Sequence, residues 1–289
     1  SDDITNDDTP TFTGAADADT SVTLTSDVDG VLGQALSDGS GNWSLTAPAM
    51  SEGTHSVTAS AITEYGSTGD SAALTVTIDV TAPAAPANLD LATADDSGVN
   101  DNDDITNNQT PHIDGEGETG ATVDIDSSLD GNVASGSILS GTFSLVTASL
   151  SEGTHTITAT ATDTAGNTGS ASAGLTVEVD VTAPAIDTLN PPDGSTLTTV
   201  TSVDVTFDEA VGDVDASDLT VNTNPATGFS GSGAGPYTFT FSNPGDGTAN
   251  LAIANGALTD IAGNGFGGDT WSYTVDSTRP GVTLASGDV

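Results

Sequence analysis

The stretch of chain between positions 90 and 104 carries six aspartates and no basic residue. Calcium is a hard cation that takes six to eight oxygen ligands, typically from carboxylates, amide carbonyls and the backbone. The spacing differs from that of an EF-hand, because the glycine and the distal glutamate of that loop have no counterparts here. Two interpretations remain open, a site for divalent cations and a solvated acidic linker.

The whole chain is strongly acidic. It has 42 acidic residues and a single base, Arg279, which gives a net charge of −41. Nucleic acid is excluded as a partner because its binding requires lysine and arginine, and anionic membrane surfaces are excluded for the same reason. No apolar run is long enough for direct membrane insertion. Because the acids are clustered rather than evenly spread, specific binding of divalent cations is favoured over general surface acidity.

Other chemistries find less support. Paired carboxylates can hydrolyse glycosides, but one of them needs a raised pKa inside a substrate cleft. His55 and His155 occupy equivalent positions in a sequence repeat, which is more typical of a packing or turn feature than of a catalyst. The chain has no cysteine, and no Gly-x-Ser-x-Gly nucleophile motif is visible. We therefore expect no enzymatic activity.

The elements that position these acids repeat along the chain. The segment 2–6 recurs at 103–107, and 79–83 recurs at 180–184. A period of about 100 residues corresponds to a whole small domain rather than to a solenoid unit. We predict domains at 1–82, 83–183 and 184–279, the last of divergent sequence, with 280–289 as the first strand of a following domain. The first domain lacks a counterpart of 84–101, so we expect the chain to be a fragment of a longer protein.

All local signals are those of β-structure. Segments 57–62, 74–78 and 175–179 alternate apolar with polar or small residues, the period of a half-buried strand. Asp-Gly pairs such as Asp29-Gly30 and Asp130-Gly131 predict tight turns between the strands. Several short strands per 100 residues predict an all-β chain of sandwich domains arranged end to end, each with about seven strands.

Several motifs carry a resemblance to a known family. They are Ile-Thr-Asn-x-x-Thr-Pro, Ser-Gly-x-(Trp/Phe)-Ser-Leu, Glu-Gly-Thr-His, Asp-x-Ala-Gly-Asn and Asp-Val-Thr-Ala-Pro. With them the first two domains resemble the bacterial immunoglobulin-like (Ig-like) repeats of giant calcium-dependent surface adhesins of the RTX type. The third domain is similar to another bacterial Ig-like subfamily. The resemblance implies extender domains that calcium stiffens at their junctions.

Sandwich topology predicts where the metal ligands meet. The FG loop of domain two contains Asp163 and Asn167, and we expect it to face the segment 90–104 across the junction with domain one. Domain three repeats the arrangement with acids in its BC and FG loops and in the linker before it. The predicted calcium ligands are Asp79, Asp90, Asp95, Asp101, Asp103, Asp104, Asp163, Asn167, Asp180, Asp208, Glu209, Asp260, Asn264 and Asp276.

The sequence thus predicts a calcium-stiffened extender of a bacterial cell-surface or biofilm adhesin. The expected chain is an extracellular, monomeric rod whose partners are calcium and the neighbouring domains, and it would project a distal ligand-binding domain. An alternative function remains open: one domain, most plausibly 184–279, could itself be an adhesion module for glycan or protein.

Overall fold

The computed structural model describes residues 3–62, 66 and 68–278, which form three consecutive β-sandwiches. The predicted all-β chain of sandwiches is confirmed, and the helical content of the described residues is one short 3₁₀ helix at Ala216–Asp218. In this part of the chain no helix has the length and apolar character that a membrane crossing would need. The segment 280–289 and Arg279 lie outside the described residues.

Domain one pairs a large sheet of order β1-β8-β6-β3-β4, with β7 added to β6, and a two-stranded sheet β2-β5. Its strands are β1 (Ile4–Thr5), β2 (Thr11–Ala15), β3 (Ser21–Ser26), β4 (Gly30–Leu36), β5 (Asn42–Thr46), β6 (Gly53–Ile62), β7 (Thr68–Asp70) and β8 (Leu74–Ile78).

Domain two has a five-stranded sheet of order β10-β16-β15-β12-β13 that faces a three-stranded sheet β14-β11-β9. Its strands are β9 (Ala87–Leu91), β10 (Ile105–Thr106), β11 (His112–Glu116), β12 (Thr122–Ser127), β13 (Gly131–Ser137), β14 (Thr142–Val146), β15 (Gly153–Thr162) and β16 (Leu175–Val179).

Domain three has sheets of order β17-β19-β24-β23 and β18-β27-β25-β21-β22, with a small pair β20-β26. Its strands are β17 (Ile186–Asn190), β18 (Thr196–Leu197), β19 (Ser202–Phe207), β20 (Val211–Gly212), β21 (Leu219–Val221), β22 (Asn224–Pro225), β23 (Gly228–Ser230), β24 (Tyr237–Thr240), β25 (Gly247–Ile253), β26 (Thr259–Asp260) and β27 (Asp269–Val275).

Each sandwich has its own core, built by the alternation that the sequence shows. In β12, Val123 and Ile125 are fully buried, while Asp124 between them is half-buried and faces the other side of the sheet. Val177 and Val179 of β16 are also fully buried. Each such side chain contributes about 1.5–3 kcal/mol when it leaves water. These strands therefore hold the sandwich ends, and the loops on them, in fixed positions.

The repeat-equivalent histidines are structural. His155 is fully buried, its Nδ1 lies 2.8 Å from the Ser127 hydroxyl, and its Nε2 lies 2.8 Å from the Ser151 carbonyl oxygen. A carbonyl oxygen only accepts, so Nε2 carries the proton and Nδ1 accepts from Ser127. His55 makes the same pair of contacts in domain one. The histidine thus connects the turn after β12, the C strand of the sandwich, to the start of β15, its F strand.

Domain one differs from domain two at one sheet edge. In domain two, β9 pairs with β11, and Leu91 is buried in the core there. Among the described residues of domain one, the corresponding strand β2 pairs only with β5. A groove of about 680 Å³ lies along that edge and is lined by core residues that include Trp43. The groove therefore lies at the edge that β9 covers in domain two.

Candidate metal centre at the domain junction

One asparagine closes the FG loop in both domain two, where the loop joins β15 to β16, and domain three, where it joins β25 to β27. In domain two, Asn167 donates its backbone N–H to Asp163 Oδ1 at 2.9 Å and its side-chain amide to Oδ2 at 2.8 Å. In domain three, Asn264 donates to the two Asp260 oxygens at 2.8 Å each. The glycines at 166 and 263 adopt φ of 92° and 94°, which favours glycine. The Asp-x-Ala-Gly-Asn pattern is therefore a self-closed loop.

The same asparagines reach the preceding domain. Asn167 Nδ2 donates to the backbone carbonyl of Asp79 at 2.8 Å, and Asn264 Nδ2 donates to that of Asp180 at 2.8 Å. An amide group has two donors, so the aspartate of the loop and the carbonyl of the linker use both of them. The two junctions are thus built on one repeated interdomain hydrogen bond.

The linkers are also ordered by their own polar side chains. Asp180 Oδ1 accepts from the Thr182 N–H at 3.0 Å, and the Thr182 hydroxyl donates to Glu152 at 2.5 Å. The linker after domain one repeats this, with Thr81 donating to Asp79 and Glu52. After domain three, the Asp276 carboxylate accepts from the Thr278 N–H at 2.9 Å. Each linker aspartate is therefore held with a defined orientation at the end where its domain exits.

Three carboxylates from two domains converge at the junction between domains two and three. One oxygen from each of Asp180, Glu209 and Asp260 lies within 4.8 Å of the other two. Asp260 is fully buried, and the other two are half-buried. No other group of three aspartate, glutamate or histidine ligand atoms in the described residues is as close. We call these residues the linker triad.

The triad is electrostatically unbalanced. Burial and then the charges of Asp180, Asp260, Asp208 and Glu152 raise the pKa of Glu209 from 4.5 to about 7. The only arginine or lysine in the sequence is Arg279, outside the described residues. Like charges held this close disfavour ionisation unless a cation compensates them.

The donor chemistry of the triad fits calcium. The ligands are carboxylate oxygens, with no nitrogen or sulphur ligand among them, as a hard cation prefers. Three carboxylates supply up to six oxygens, and the oxygens of Asp260 keep lone pairs beyond their bonds from Asn264. Calcium accepts such flexible sets of six to eight ligands, whereas magnesium requires near-ideal octahedral geometry.

The junction between domains one and two brings together fewer charges. Asp163 lies there with Asp79, as its loop position predicts. Burial acts to raise the pKa of Asp163, but the side-chain and backbone hydrogen bonds from Asn167 outweigh it and hold the pKa below its ordinary value. In domain two, β11 is followed by Gly117 and an exposed Glu118, where domain three has Asp208 and Glu209 after β19. This junction therefore satisfies its aspartate with hydrogen bonds.

The predicted pairing of Asp163 with the segment 90–104 is wrong. The Ser97 hydroxyl donates to the Ala262 carbonyl at 2.6 Å, and the Val99 N–H points to the Ile261 carbonyl at 3.4 Å. The segment therefore contacts domain three. The reason is geometric: β9 carries the chain about 16 Å along the sandwich before the segment begins. The segment thus lies at the opposite end of domain two from Asp163.

The predicted ligands in this segment do not form a single cage. Asp95 accepts from the His112 ring at 2.7 Å and from Asn108 at 2.7 Å, so its carboxylate is already engaged. Asp101 is exposed, and its carboxylate accepts from the side-chain amide of its neighbour Asn102 at 2.7 Å. Three predicted ligands of this segment remain. Asp90 is exposed on β9, the Asp103 carboxylate accepts from the Ile105 N–H, and Asp104 is half-buried.

The other predicted ligands are placed as follows. Asp208 lies at the junction, but its Oδ1 accepts from the Ala185 N–H at 2.8 Å, and it stands outside the linker triad. Asp276 lies at the exit of domain three, next to residues that the structure does not describe.

Some relevant acids escaped the sequence analysis. Glu152 acts on Glu209 from the start of the F strand. Its equivalents Glu52 and Asp246 also precede the glycine that begins an F strand, so the repeat contained the signal. Asp96, in the segment 90–104, was also passed over, although it is the most buried acid of that segment.

The chain is similar to several solved structures and to two family models. No curated protein matches the chain. Among solved structures, one of a 1.5-MDa bacterial ice-binding adhesin is similar over 95% of both chains, at 17% identity and a TM-score of 0.37. The BSP domain of a biofilm-associated protein is similar over 62% of this chain, at 21% identity and a TM-score of 0.26, and this similarity spans 29% of that protein's chain.

The fibronectin(III)-like modules of Clostridium thermocellum CbhA are similar over 61% of this chain and 87% of theirs, at 15% identity and a TM-score of 0.35. Because these TM-scores are all below 0.5, the three similarities carry no argument. Family matches are more direct. Bacterial Ig-like domain (group 3) matches residues 140–227, and Bacterial Ig-like domain matches residues 1–80 and 82–181. The chain therefore belongs to the bacterial Ig-like domain family.

Proposed function

We propose that this chain is a calcium-stiffened extender segment of a bacterial cell-surface adhesin. The linker triad carries the proposal, because Asp180 comes from the linker whereas Glu209 and Asp260 come from domain three. A cation bound to all three joins the two sides of a hinge. The linker itself is short, and Pro184 restricts its φ angle.

The need for a cation follows from charge. The net charge is −41 with one arginine or lysine, and no such residue lies in the described part of the chain to pair with the carboxylates of the junction. Burial first, and then repulsion by these neighbouring carboxylates, raises the pKa of Glu209. Calcium bound at the triad would remove this repulsion and add bonds that exist only in the docked arrangement, so it would favour the straight, rigid state over bent ones.

A mechanical role also fits the sandwiches themselves. Tandem domains joined by repeated end contacts form a spacer, and a spacer works at an extracellular surface by holding a distal binding domain away from it. The alternative adhesion role for domain three gains no support from Trp271, which is only 5% exposed and packs in the core. A buried aromatic side chain offers no platform for a sugar ring.

The proposal is tested by calcium binding and by the spread of interdomain distances. The chain has no cysteine, so spin labels can be attached at Asn132→Cys in domain two and Ser242→Cys in domain three, both exposed. We expect calorimetry to detect calcium binding that Glu209→Gln weakens. Pulsed EPR should show one narrow distance distribution with calcium and a broad one in chelator.

Two results would count against the extender mechanism. Calcium binding that is indifferent to Glu209→Gln would remove the triad as the site. Identical distance distributions with calcium and with chelator would mean that bound metal does not stiffen the hinge. The variant Glu118→Gln removes one exposed glutamate from domain two and serves as the charge control.

A further inference from the structure

Strand β2 of domain one has a sheet partner on one side only among the described residues, namely β5. We call its other side, together with the groove of about 680 Å³ beside it, the open edge. We propose that the open edge binds the segment 281–289 of a second copy of this chain as an added β-strand, so that copies join head to tail. This inference goes beyond the proposed extender role and depends neither on calcium nor on the linker triad.

Domain two shows what completes the same edge. There, β9 pairs with β11 in antiparallel register, and Leu91 of β9 lies opposite Ile113. Leu91 is 2% exposed and belongs to the core of domain two. Phe12 of β2 occupies the repeat position of Ile113. A strand with the same alternation, added to β2, would therefore place an apolar side chain next to Phe12.

The core of domain one is less well covered along the groove than the core of domain two. Ala159 and Ala161 of β15 are fully buried. Their repeat equivalents on β6, Ala59 and Ala61, are only half-buried, and both line the groove. Leu74 of β8 also lines it and is 46% exposed. A strand that covers these side chains removes apolar surface from water, which favours its binding.

The place where such a strand enters is also open in domain one. In domain two, Gly169 lies so close to the linker before β9 that a Cβ added to it would be 2.3 Å from the Pro83 carbonyl oxygen. Gly69 is the repeat equivalent of Gly169, and a Cβ added to it would meet nothing within 4 Å among the described residues. The backbone that precedes a first strand therefore has room beside Gly69.

The segment 281–289 has the sequence of such a first strand. It follows the third copy of the linker pattern, at 276–280. The two earlier copies of this pattern lead into β9 and β17, the first strands of domains two and three. Val282 and Leu284 flank the polar Thr283, which is the alternation of a half-buried strand. We therefore expect Val282 and Leu284 to face the groove.

Charge also favours this segment as the occupant. Copies with a net charge of −41 repel one another, but the side chains of 279–289 include one arginine and one aspartate and are neutral together. Pro280 is the counterpart of Pro83 in the linker pattern. The added strand would therefore bring Arg279 close to the exposed Asp70, which lines the groove. Because an exposed ion pair adds little affinity, Arg279 would mainly set the register of the strand.

The contact is heterologous, because it joins domain one of one copy to the last residues of another. Each added copy presents a new open edge at one end and a new segment 281–289 at the other. Such contacts propagate unless a rotation closes them into a ring. Association should therefore increase with protein concentration.

The first test is the oligomeric state of the 289-residue chain in chelator, measured by sedimentation velocity over a wide range of concentrations. We expect species larger than one chain, whose fraction rises with concentration. Leu284→Asp should abolish them, because it places a charge on the face that enters the groove. Thr283→Asp adds the same charge to the opposite face of the strand and should keep them. Circular dichroism checks that both variants fold.

The second test separates the open edge from the strand that fills it. A chain that ends at Pro280 lacks the strand, so it should be monomeric and should bind a synthetic peptide of residues 279–289. Trp43 lines the groove, so its fluorescence can follow the titration. Leu284→Asp in the peptide should weaken binding about tenfold or more, since burial of the leucine is lost. Thr283→Asp should change it by no more than about twofold.

A chain whose open edge is already filled provides the control. Ser1 aligns with Asn102 in the repeat, so a copy of residues 84–101 placed before Ser1 supplies a counterpart of β9 within the same chain. This fusion should neither associate nor bind the peptide. In the chain that ends at Pro280, hydrogen exchange should show that the peptide newly protects β2 and leaves domain three unchanged.

The proposal is overturned if the parent chain stays monomeric at every concentration. If the chain that ends at Pro280 nevertheless binds the peptide, the segment closes on its own copy instead. Larger species that persist in Leu284→Asp would mean that copies meet through another surface. Peptide binding to the fusion at an affinity within about twofold of that of the open chain would exclude the groove as the site.

Discussion

Replacing Glu209 by glutamine should have opposite effects with and without calcium. In chelator, the folded junction raises the pKa of Glu209 from 4.5 to about 7, so the folded state holds this proton more tightly than the unfolded state. The protonated form stabilises the fold at low pH, and this stability is lost as pH rises from 4.5 through about 7. The ionised glutamate therefore destabilises the junction near pH 8.

The free energy by which ionised Glu209 destabilises the junction follows from the rise in its pKa. Moving a carboxyl pKa from 4.5 to about 7 corresponds to about 3 kcal/mol, and solvent screening of this half-buried group reduces the effect to about 2 kcal/mol. Glu209→Gln should recover that amount in chelator near pH 8, which raises the melting temperature of a domain of this size by roughly 8 °C. The gain should shrink as pH is lowered toward 4.5.

With calcium bound, the parent chain should melt at a higher temperature than Glu209→Gln. A ligand that binds only the folded state adds RT ln(1 + [L]/Kd), about 4 kcal/mol at a thousand-fold excess over Kd. The parent chain receives this stabilisation in full, whereas Glu209→Gln lacks one charged ligand and receives less. Differential scanning calorimetry of both chains in chelator and in millimolar calcium measures the reversal.

Two outcomes refute the reasoning. A lower melting temperature of Glu209→Gln in chelator would mean that the carboxylate makes a favourable contact rather than suffering repulsion. An equal gain with chelator and with calcium would mean that no cation uses Glu209. The exposed Glu118→Gln should change the melting temperature by no more than about 2 °C in either condition.

The other predictions concern different contacts. Calcium affinity should fall about tenfold in calorimetry between about pH 8 and pH 6, because Glu209 must lose a proton held with a pKa of about 7; constant affinity would contradict this. Asn167→Asp should loosen the junction of domains one and two, since it loses the interdomain donor, and small-angle scattering should show a more flexible chain. His155→Ala should lower the unfolding free energy in urea by about 2–3 kcal/mol, because buried partners lose their hydrogen bonds. Gly98→Ala should clash with the Ile261 carbonyl and broaden the interdomain distances without changing any carboxylate. Unchanged distances would mean that the contact of the segment 90–104 with domain three does not hold the two domains together.

The sequence was most informative where a short-range pattern determines the structure. Alternation in Leu175–Val179 predicted a strand with two buried valines, and the position of Asp163 after the F strand predicted its place at the junction. The segment 90–104 was misplaced because its location depends on the direction and length of β9, which carries it to the far end of the sandwich. The local composition of the segment does not indicate at which end of the sandwich it lies.

Neighbouring residues in a loop were equally hard to distinguish. Asp208 and Glu209 are adjacent in the sequence and were predicted to act together. In the structure Asp208 accepts the Ala185 N–H, while Glu209 turns to the acids of the linker triad. Strands have a fixed alternation of side-chain direction, but loops do not. Tertiary contacts therefore decide which of the two acids joins the linker triad.

The same type of FG loop lies at both junctions, but the carboxylates around it differ. At the first junction the hydrogen bonds from Asn167 lower the pKa of Asp163, so this carboxylate is stable as an anion without a metal. At the second, the same loop closure by Asn264 coexists with a glutamate whose pKa is raised to about 7. A bound cation favours the ionised form of a carboxylate whose pKa is raised, whereas a carboxylate stabilised by hydrogen-bond donors is ionised without one. The chain should therefore have one hinge whose stiffness is nearly independent of calcium and one that stiffens only when calcium is bound, so a calcium titration followed at both hinges should change the second alone.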